Sequence, residues 1–102
     1  GRAADAERYF RQALALRPNL ADPLYQLADL QFEAGNHLQA RAFVQRYHEA
    51  AAATAASLWL GYRIERALGD SAAADSYARR LRMEFPTSVE AGQLFNLEQK
   101  AK

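Results

Sequence analysis

One spacing recurs along the chain, and it restricts the architecture more than any local pattern does. The step from Gly35 to Gly69 is repeated from Ala6 to Ala40 to Ala74, and again through the aromatics Tyr9, Phe43 and Tyr77. Pro18 and Pro86 lie two such steps apart, with Ala52 midway. The same offset superposes Phe10, Val44 and Ala78, then Ala13, Tyr47 and Leu81, at the three- and four-residue steps of one helical face. A period of this size, roughly 34 residues, marks a stack of repeated units, each too small to bury its apolar side alone.

Each unit reads as two helices. Asp22 and Pro23 stand where an N-cap and a first-turn proline belong, and Leu24, Leu27, Ala28 and Leu30 build an apolar face after them. Gly35-Asn36 and Gly69-Asp70 supply turns, because glycine reaches the left-handed backbone region at a helix C-terminus. Proline at Pro86 disfavours helix at Phe85, and Thr87 or Ser88 can cap a final helix that carries Glu90 near its first turn. These signals predict helices over residues 3–16, 21–34, 37–51, 54–68, 71–84 and 87–99. Small residues at Ala28 and Ala40, and at Gly61 and Ala74, allow paired helices to approach to the short end of roughly 8–10 Å.

Two irregularities interrupt the period. Leu60-Gly61 follows Leu27-Ala28 at one residue less than the full step, and Ala52 takes the place of a proline. The stretch from Ala50 to Ser57 has neither glycine nor proline, so fusion of the adjoining helices into one rod, with domain swapping, stays open.

Composition narrows the function classes. Alanine is abundant, which favours helix and close helix packing. Thirteen basic residues against twelve acidic ones leave a net charge of +1 with the signs interspersed, so there is no footprint for a nucleic-acid backbone. The chain has no cysteine, which excludes disulfides, thiolate metal sites and cysteine nucleophiles while leaving the compartment open. The apolar run from Ala50 to Leu60 is about half of the roughly 20 residues that a membrane-spanning helix needs. The opening Gly1-Arg2-Ala3-Ala4-Asp5 has no signal-peptide pattern, so the chain is expected to be part of a longer protein with any targeting signal upstream.

The residues resemble the tetratricopeptide repeat. Its second-helix pattern of small residue, aromatic, small residue and proline matches Ala6, Phe10, Ala13 and Pro18. Leu24, Leu27, Ala28, Gly35 and Ala40 match in the next unit, which departs at Val44, Tyr47 and Ala52. Leu60, Gly61, Gly69, Ala74 and Pro86 match in the third, which departs at Ala78 and Leu81. The resemblance implies an all-α, right-handed solenoid of antiparallel helix pairs with about six helices in a single domain. Residues 1–18 are the second helix of a truncated repeat, 19–52 and 53–86 two repeats, and 87–102 a C-terminal capping helix.

A narrower resemblance lies in the wording of three segments: Ala6-Glu7-Arg8-Tyr9-Phe10-Arg11-Gln12-Ala13-Leu14, Ala40-Arg41-Ala42-Phe43-Val44-Gln45-Arg46-Tyr47, and the run from Ser57 to Asp70. These are similar to the PilW/PilF family of type IV pilus biogenesis lipoproteins. That resemblance implies a periplasmic protein held at the outer membrane by an N-terminal lipid and serving as pilotin for a secretin. The membrane would then be met only through an anchor that this sequence does not contain.

Helical solenoids bind partners on the surface lined by the first helix of each pair. There Tyr25, Asp29 and Phe32 form one stripe, off the face of Leu24, Leu27 and Leu30, and Trp59, Tyr62, Arg63 and Arg66 form another, beside Leu60, Ile64 and Leu68. Aromatic residues and arginine are enriched at interaction hot spots, so the stripes are candidate partner-binding surfaces for a protein. The competing reading has Trp59 and Phe32 filling gaps between repeats, and Arg63 and Arg66 solvated or paired with Glu65 or Asp70. Tyr9, Phe10, Ala13 and Leu14 on the first helix are expected to pack on a preceding helix, and self-association is the alternative cover.

No catalytic, metal or cofactor site emerges. His37 and His48 lack the helical spacing of paired ligands, the acids Glu65, Asp70 and Asp75 fall near helix termini, and no glycine-rich phosphate loop is present. A non-enzymatic interaction scaffold is therefore expected. The alternatives are a cytoplasmic adaptor or co-chaperone module and a regulatory domain of a larger protein; against a chaperone-tail clamp, the candidate stripes contain Asp29 and no lysine.

Overall fold

The computed structural model describes residues 1–101, which form six α-helices and no strand. They divide into two compact units, Gly1–Ala52 and a second from Ala53 onward. The first holds α1 (Arg2–Leu16), α2 (Ala21–Glu33) and α3 (His37–Ala50), and the second α4 (Ala55–Leu68), α5 (Ser71–Glu84) and α6 (Val89–Lys100).

The two glycine turns are built alike. Gly35 and Gly69 take φ of 83° and 80°, in the left-handed region where a β-carbon is penalised. The amide after each reaches back five positions, Asn36 N to Gln31 O at 2.8 Å and Asp70 N to Glu65 O at 3.0 Å. This pattern satisfies helix-end carbonyls and reverses the chain into the next helix. Proline ends α1 and α5 by another route. Arg17 and Phe85, each before a proline, are driven to φ of -139° and -136°.

In the first unit α2 packs on both α1 and α3. It buries Leu24, Leu27, Ala28 and Gln31, at the 0, 3, 4, 7 spacing of one face, while α3 buries Ala40, Phe43, Val44 and Tyr47. Leu30, expected on the same face, is only half-buried, and the polar Gln31 takes its place. Gln31 Nε2 donates to Glu7 Oε1 at 2.9 Å and its Oε1 accepts from Asn36 Nδ2 at 2.8 Å, so the amide is satisfied and ties α1 to α2 and its turn. The guanidinium groups of Arg11 and Arg46 lie 5.4 and 5.7 Å from the Phe43 ring centre, and Arg46 also donates to the Pro18 carbonyl at 3.1 Å.

In the second unit α4 packs on α5, and α6 rests on both. Leu58, Tyr62, Ala74, Ala78, Leu81, Ala91 and Leu94 form the core, with Trp59, Tyr77, Phe85 and Leu97 partly buried around it. A β-carbon at Gly61 would lie 2.6 Å from the Tyr77 ring, so any larger residue there would have to displace that ring or part α4 from α5. Arg82 on α5 pairs with Glu98 on α6 at 2.9 Å.

Three expectations are corrected, and the separate helices expected on either side of residues 51–53 are observed. Asp22 is not the N-cap of α2: Leu20 is, and Asp22 and Pro23 lie inside the first turn, where an acid favours the helix dipole and a missing N–H leaves nothing unpaired. The last helix begins at Val89, because Ser88 caps it by accepting from Ala91 N at 3.0 Å. Helices α3 and α4 do not fuse: Thr54 and Ser57 form a reciprocal capping box that starts α4 without glycine or proline. Leu14 is buried, since α1 packs on α2, whereas Tyr9 stays 67 % exposed.

Candidate partner-binding site

Helix α4 supplies four of the expected residues. Trp59, Tyr62, Arg63 and Arg66 fall at the 0, 3, 4, 7 spacing that aligns side chains along one stripe. The structure brings them together as a stacked ladder. The Trp59 and Tyr62 rings lie nearly parallel, 10° apart with centroids at 5.6 Å. The Arg63 guanidinium is 5.2 Å from the Trp59 centroid and that of Arg66 5.7 Å from Tyr62. Arg66 Nη1 also donates to the Tyr62 hydroxyl at 2.8 Å. A cation held over a ring face is attracted by the negative face of the π-system, so the ladder fixes two long side chains before any partner arrives.

Tyr62 is only 3 % exposed and belongs to the core, so it contributes as a support whose hydroxyl positions Arg66. Trp59 is half-buried, and Arg66 is exposed. Beside Trp59 and Arg63, α6 brings Gln93, Asn96, Leu97 and Lys100, and the six enclose a solvent-open cleft of about 370 Å³. The α6 residues also follow the 0, 3, 4, 7 rule, which is the signal that could have singled them out.

On α2 of the first unit Tyr25, Asp29 and Phe32 are all half-buried. Two of them engage α3: Tyr25 meets Tyr47 edge-on with centroids 5.9 Å apart, and Phe32 lies 5.5 Å from the His37 ring. His48 rests edge-on against Tyr47 at 5.4 Å. Asp70, read as a terminal acid, is the N-cap of α5, its Oδ1 accepting from Ala73 N at 3.0 Å, whereas Glu65 is buried within α4. A pair with shifted titration lies on α5. A hydrogen bond from Arg80 holds the Glu84 carboxyl below the usual carboxylate range, and the same bond raises Arg80. Among the described residues no cluster of three or more histidine and carboxylate side chains could hold a metal ion, and no helix is long and apolar enough to cross a membrane.

Paired helices on a constant period, turned by left-handed glycines and presenting preset aromatic and guanidinium groups, define a helical-repeat interaction module. The chain belongs to the tetratricopeptide repeat family, whose model matches residues 1–60. It is similar to the type IV pilus assembly protein PilF of Pseudomonas aeruginosa, 30 % identical over 87 residues that cover 85 % of this chain and 34 % of PilF. The solved structure of Pseudomonas aeruginosa PilF superposes with a TM-score of 0.84 over 94 % of this chain and 43 % of that one, at 30 % identity. The crystal structure of PilW, described as a widely conserved type IV pilus biogenesis factor, gives 0.85 over 93 % and 44 %, again at 30 % identity. The chain thus spans about a third of the curated relative and less than half of either solved chain.

Proposed function

We propose that this chain is a non-enzymatic protein-binding scaffold of type IV pilus biogenesis, acting in the manner of a pilotin on a secretin subunit at the periplasmic face of the outer membrane. The observation that carries this reading is the agreement with PilF and PilW over 94 % and 93 % of the chain, at TM-scores of 0.84 and 0.85 and 30 % identity in both cases. The α4 ladder supports it from the chemistry: an indole, a guanidinium stacked on it and a second guanidinium tied to Tyr62 are residue types that dominate protein interfaces. The α2 stripe of Tyr25, Asp29 and Phe32 is a second contact surface of the same kind.

The test is a titration of the purified chain with the secretin subunit of a type IV pilus system, monitored by calorimetry. The double variant Trp59→Ala, Arg66→Ala is expected to weaken binding by about 2–4 kcal/mol, the scale of interface hot spots, with helical content unchanged. Unaltered affinity would remove the ladder from the interface, and no binding by the unmodified chain would remove the secretin as partner.

A further inference from the structure

We propose that the face of α5 and α6 that carries Phe95 pairs two copies of this chain about a two-fold axis at Gly92. The repeat itself points there. The step that carries Thr54, the cap of α4, to Ser88, the cap of α6, also carries Leu60 to Leu94 and Gly61 to Phe95. Leu94 is fully buried, as Leu60 is, so α6 keeps the core position of α4. At the next residue the two helices part. Gly61 is the seat for the Tyr77 ring of α5, whereas Phe95 is 60 % exposed. A helix arriving on α6 as α5 arrives on α4 would meet that ring, so the stack cannot continue here by the same contact. The ring calls instead for a surface that offers a socket.

Such a socket lies on the same face. Arg82, Pro86, Ala91, Gly92 and Phe95 enclose an open cleft of about 410 Å³ between α5 and α6. A surface that holds both a knob and a socket is self-complementary, the condition for an isologous two-fold contact. Val89 and Phe95 lie three positions before and after Gly92, and both are exposed. Antiparallel pairing of α6 about Gly92 therefore sets each Phe95 against Val89 of the other copy, toward the Pro86 end of its cleft. A β-carbon added at Gly92 would have nothing within 4 Å, so the space before it is open, and its absence lets two helices cross closely. Charge favours the same occupant. Arg82, the charged residue among the five, is paired with Glu98 at 2.9 Å, so an acidic or basic partner gains little here, while an identical face meets no repulsion.

The chain has no cysteine, so a single introduced one reports only on contacts between copies. Sedimentation equilibrium over a concentration series is expected to show a monomer and a dimer in exchange. Phe95→Ser should weaken the association by about thirtyfold, the scale of a truncated hot-spot residue, and Val89→Ser should weaken it in the same direction. Unchanged circular dichroism is the control for folding, since both side chains are exposed. Tyr9→Ser on α1 should leave the association as it is. Under mild oxidation Gly92→Cys should yield a disulfide-linked dimer, and Gln12→Cys on α1 should not. A monomer at every concentration overturns the pairing; if that monomer floats with phosphatidylglycerol vesicles and its Phe95→Ser variant does not, the face belongs to a lipid surface instead. Association lost in Tyr9→Ser and kept in Phe95→Ser overturns the proposal in favour of α1. Failure of Gly92→Cys to cross-link in an associating sample overturns the axis at Gly92.

Discussion

Gly61 on α4 faces the Tyr77 ring on α5 so closely that an added β-carbon would lie 2.6 Å from its Cε1 and Cζ. Two effects oppose each other on substitution. Alanine in place of a mid-helix glycine gains about 1 kcal/mol of helix propensity, whereas forcing a methyl into a packed contact costs about 1–3 kcal/mol. The clash wins, because Tyr77 is itself partly buried against the core of the second unit. Gly61→Ala is expected to lower stability by up to about 2 kcal/mol in chemical denaturation, the clash cost less the propensity gain. In a Tyr77→Ala background the same change should become neutral or stabilising. Equal effects in both backgrounds would mean that the ring does not set the cost.

The Thr54–Ser57 capping box is the device that starts α4 where glycine and proline are absent. Thr54→Ala removes the side-chain acceptor for Ser57 N, a change that costs about 1 kcal/mol. Hydrogen exchange should show the loss first at the amides of the first turn of α4. Unchanged protection there would assign the start of α4 to packing alone.

Gln31 is a buried amide whose carboxylate partner is Glu7 on α1. Glu7→Ala leaves Nε2 without that acceptor and is expected to cost about 1–3 kcal/mol, with α1 loosening before the rest of the first unit. Gln31→Leu with Glu7→Ala should recover part of the loss, since removing both polar partners avoids an orphaned donor. A double variant no better than the single one would contradict this account.

Glu84 titrates below the ordinary carboxylate range because Arg80 Nε donates to its Oε2 at 2.7 Å. A carboxyl whose folded pKa is depressed contributes stability that is present above its unfolded pKa and is lost as pH falls toward the folded value. The contribution is small, since the pair is exposed and lies within one helix. Carbon-detected titration by nuclear magnetic resonance should place the Glu84 midpoint below the usual carboxylate range, and Arg80→Ala should return it to that range. A midpoint unmoved by that substitution would show that Arg80 is not the cause.

The helices were legible because their signals are local. The left-handed glycines and the prolines after Arg17 and Phe85 act on the backbone within a residue or two, and each helix boundary lies within a residue of the predicted one apart from the start of α6 at Val89. The Thr54 cap is hard to see in the chain because serine stands at Ser57 where the usual box has glutamate or glutamine. The ladder of Trp59, Tyr62, Arg63 and Arg66 was legible for the same reason as the helices, being a spacing within α4.

The repeat is a property of residue order alone: its period, its helix count, its turn positions and the residue types placed along each first helix can all be read without coordinates. Three-dimensional packing settled that Tyr62 is core while Trp59 is half-buried, that Gln31 replaces Leu30 inside, and that Gln93, Asn96, Leu97 and Lys100 stand beside Arg63. Periodicity describes which side chains share a face, but a ring at the edge of an apolar stripe is buried or exposed according to how the next helix docks. That docking is set by contacts such as Gly61 with Tyr77, between residues on different helices, whose fit no local pattern encodes.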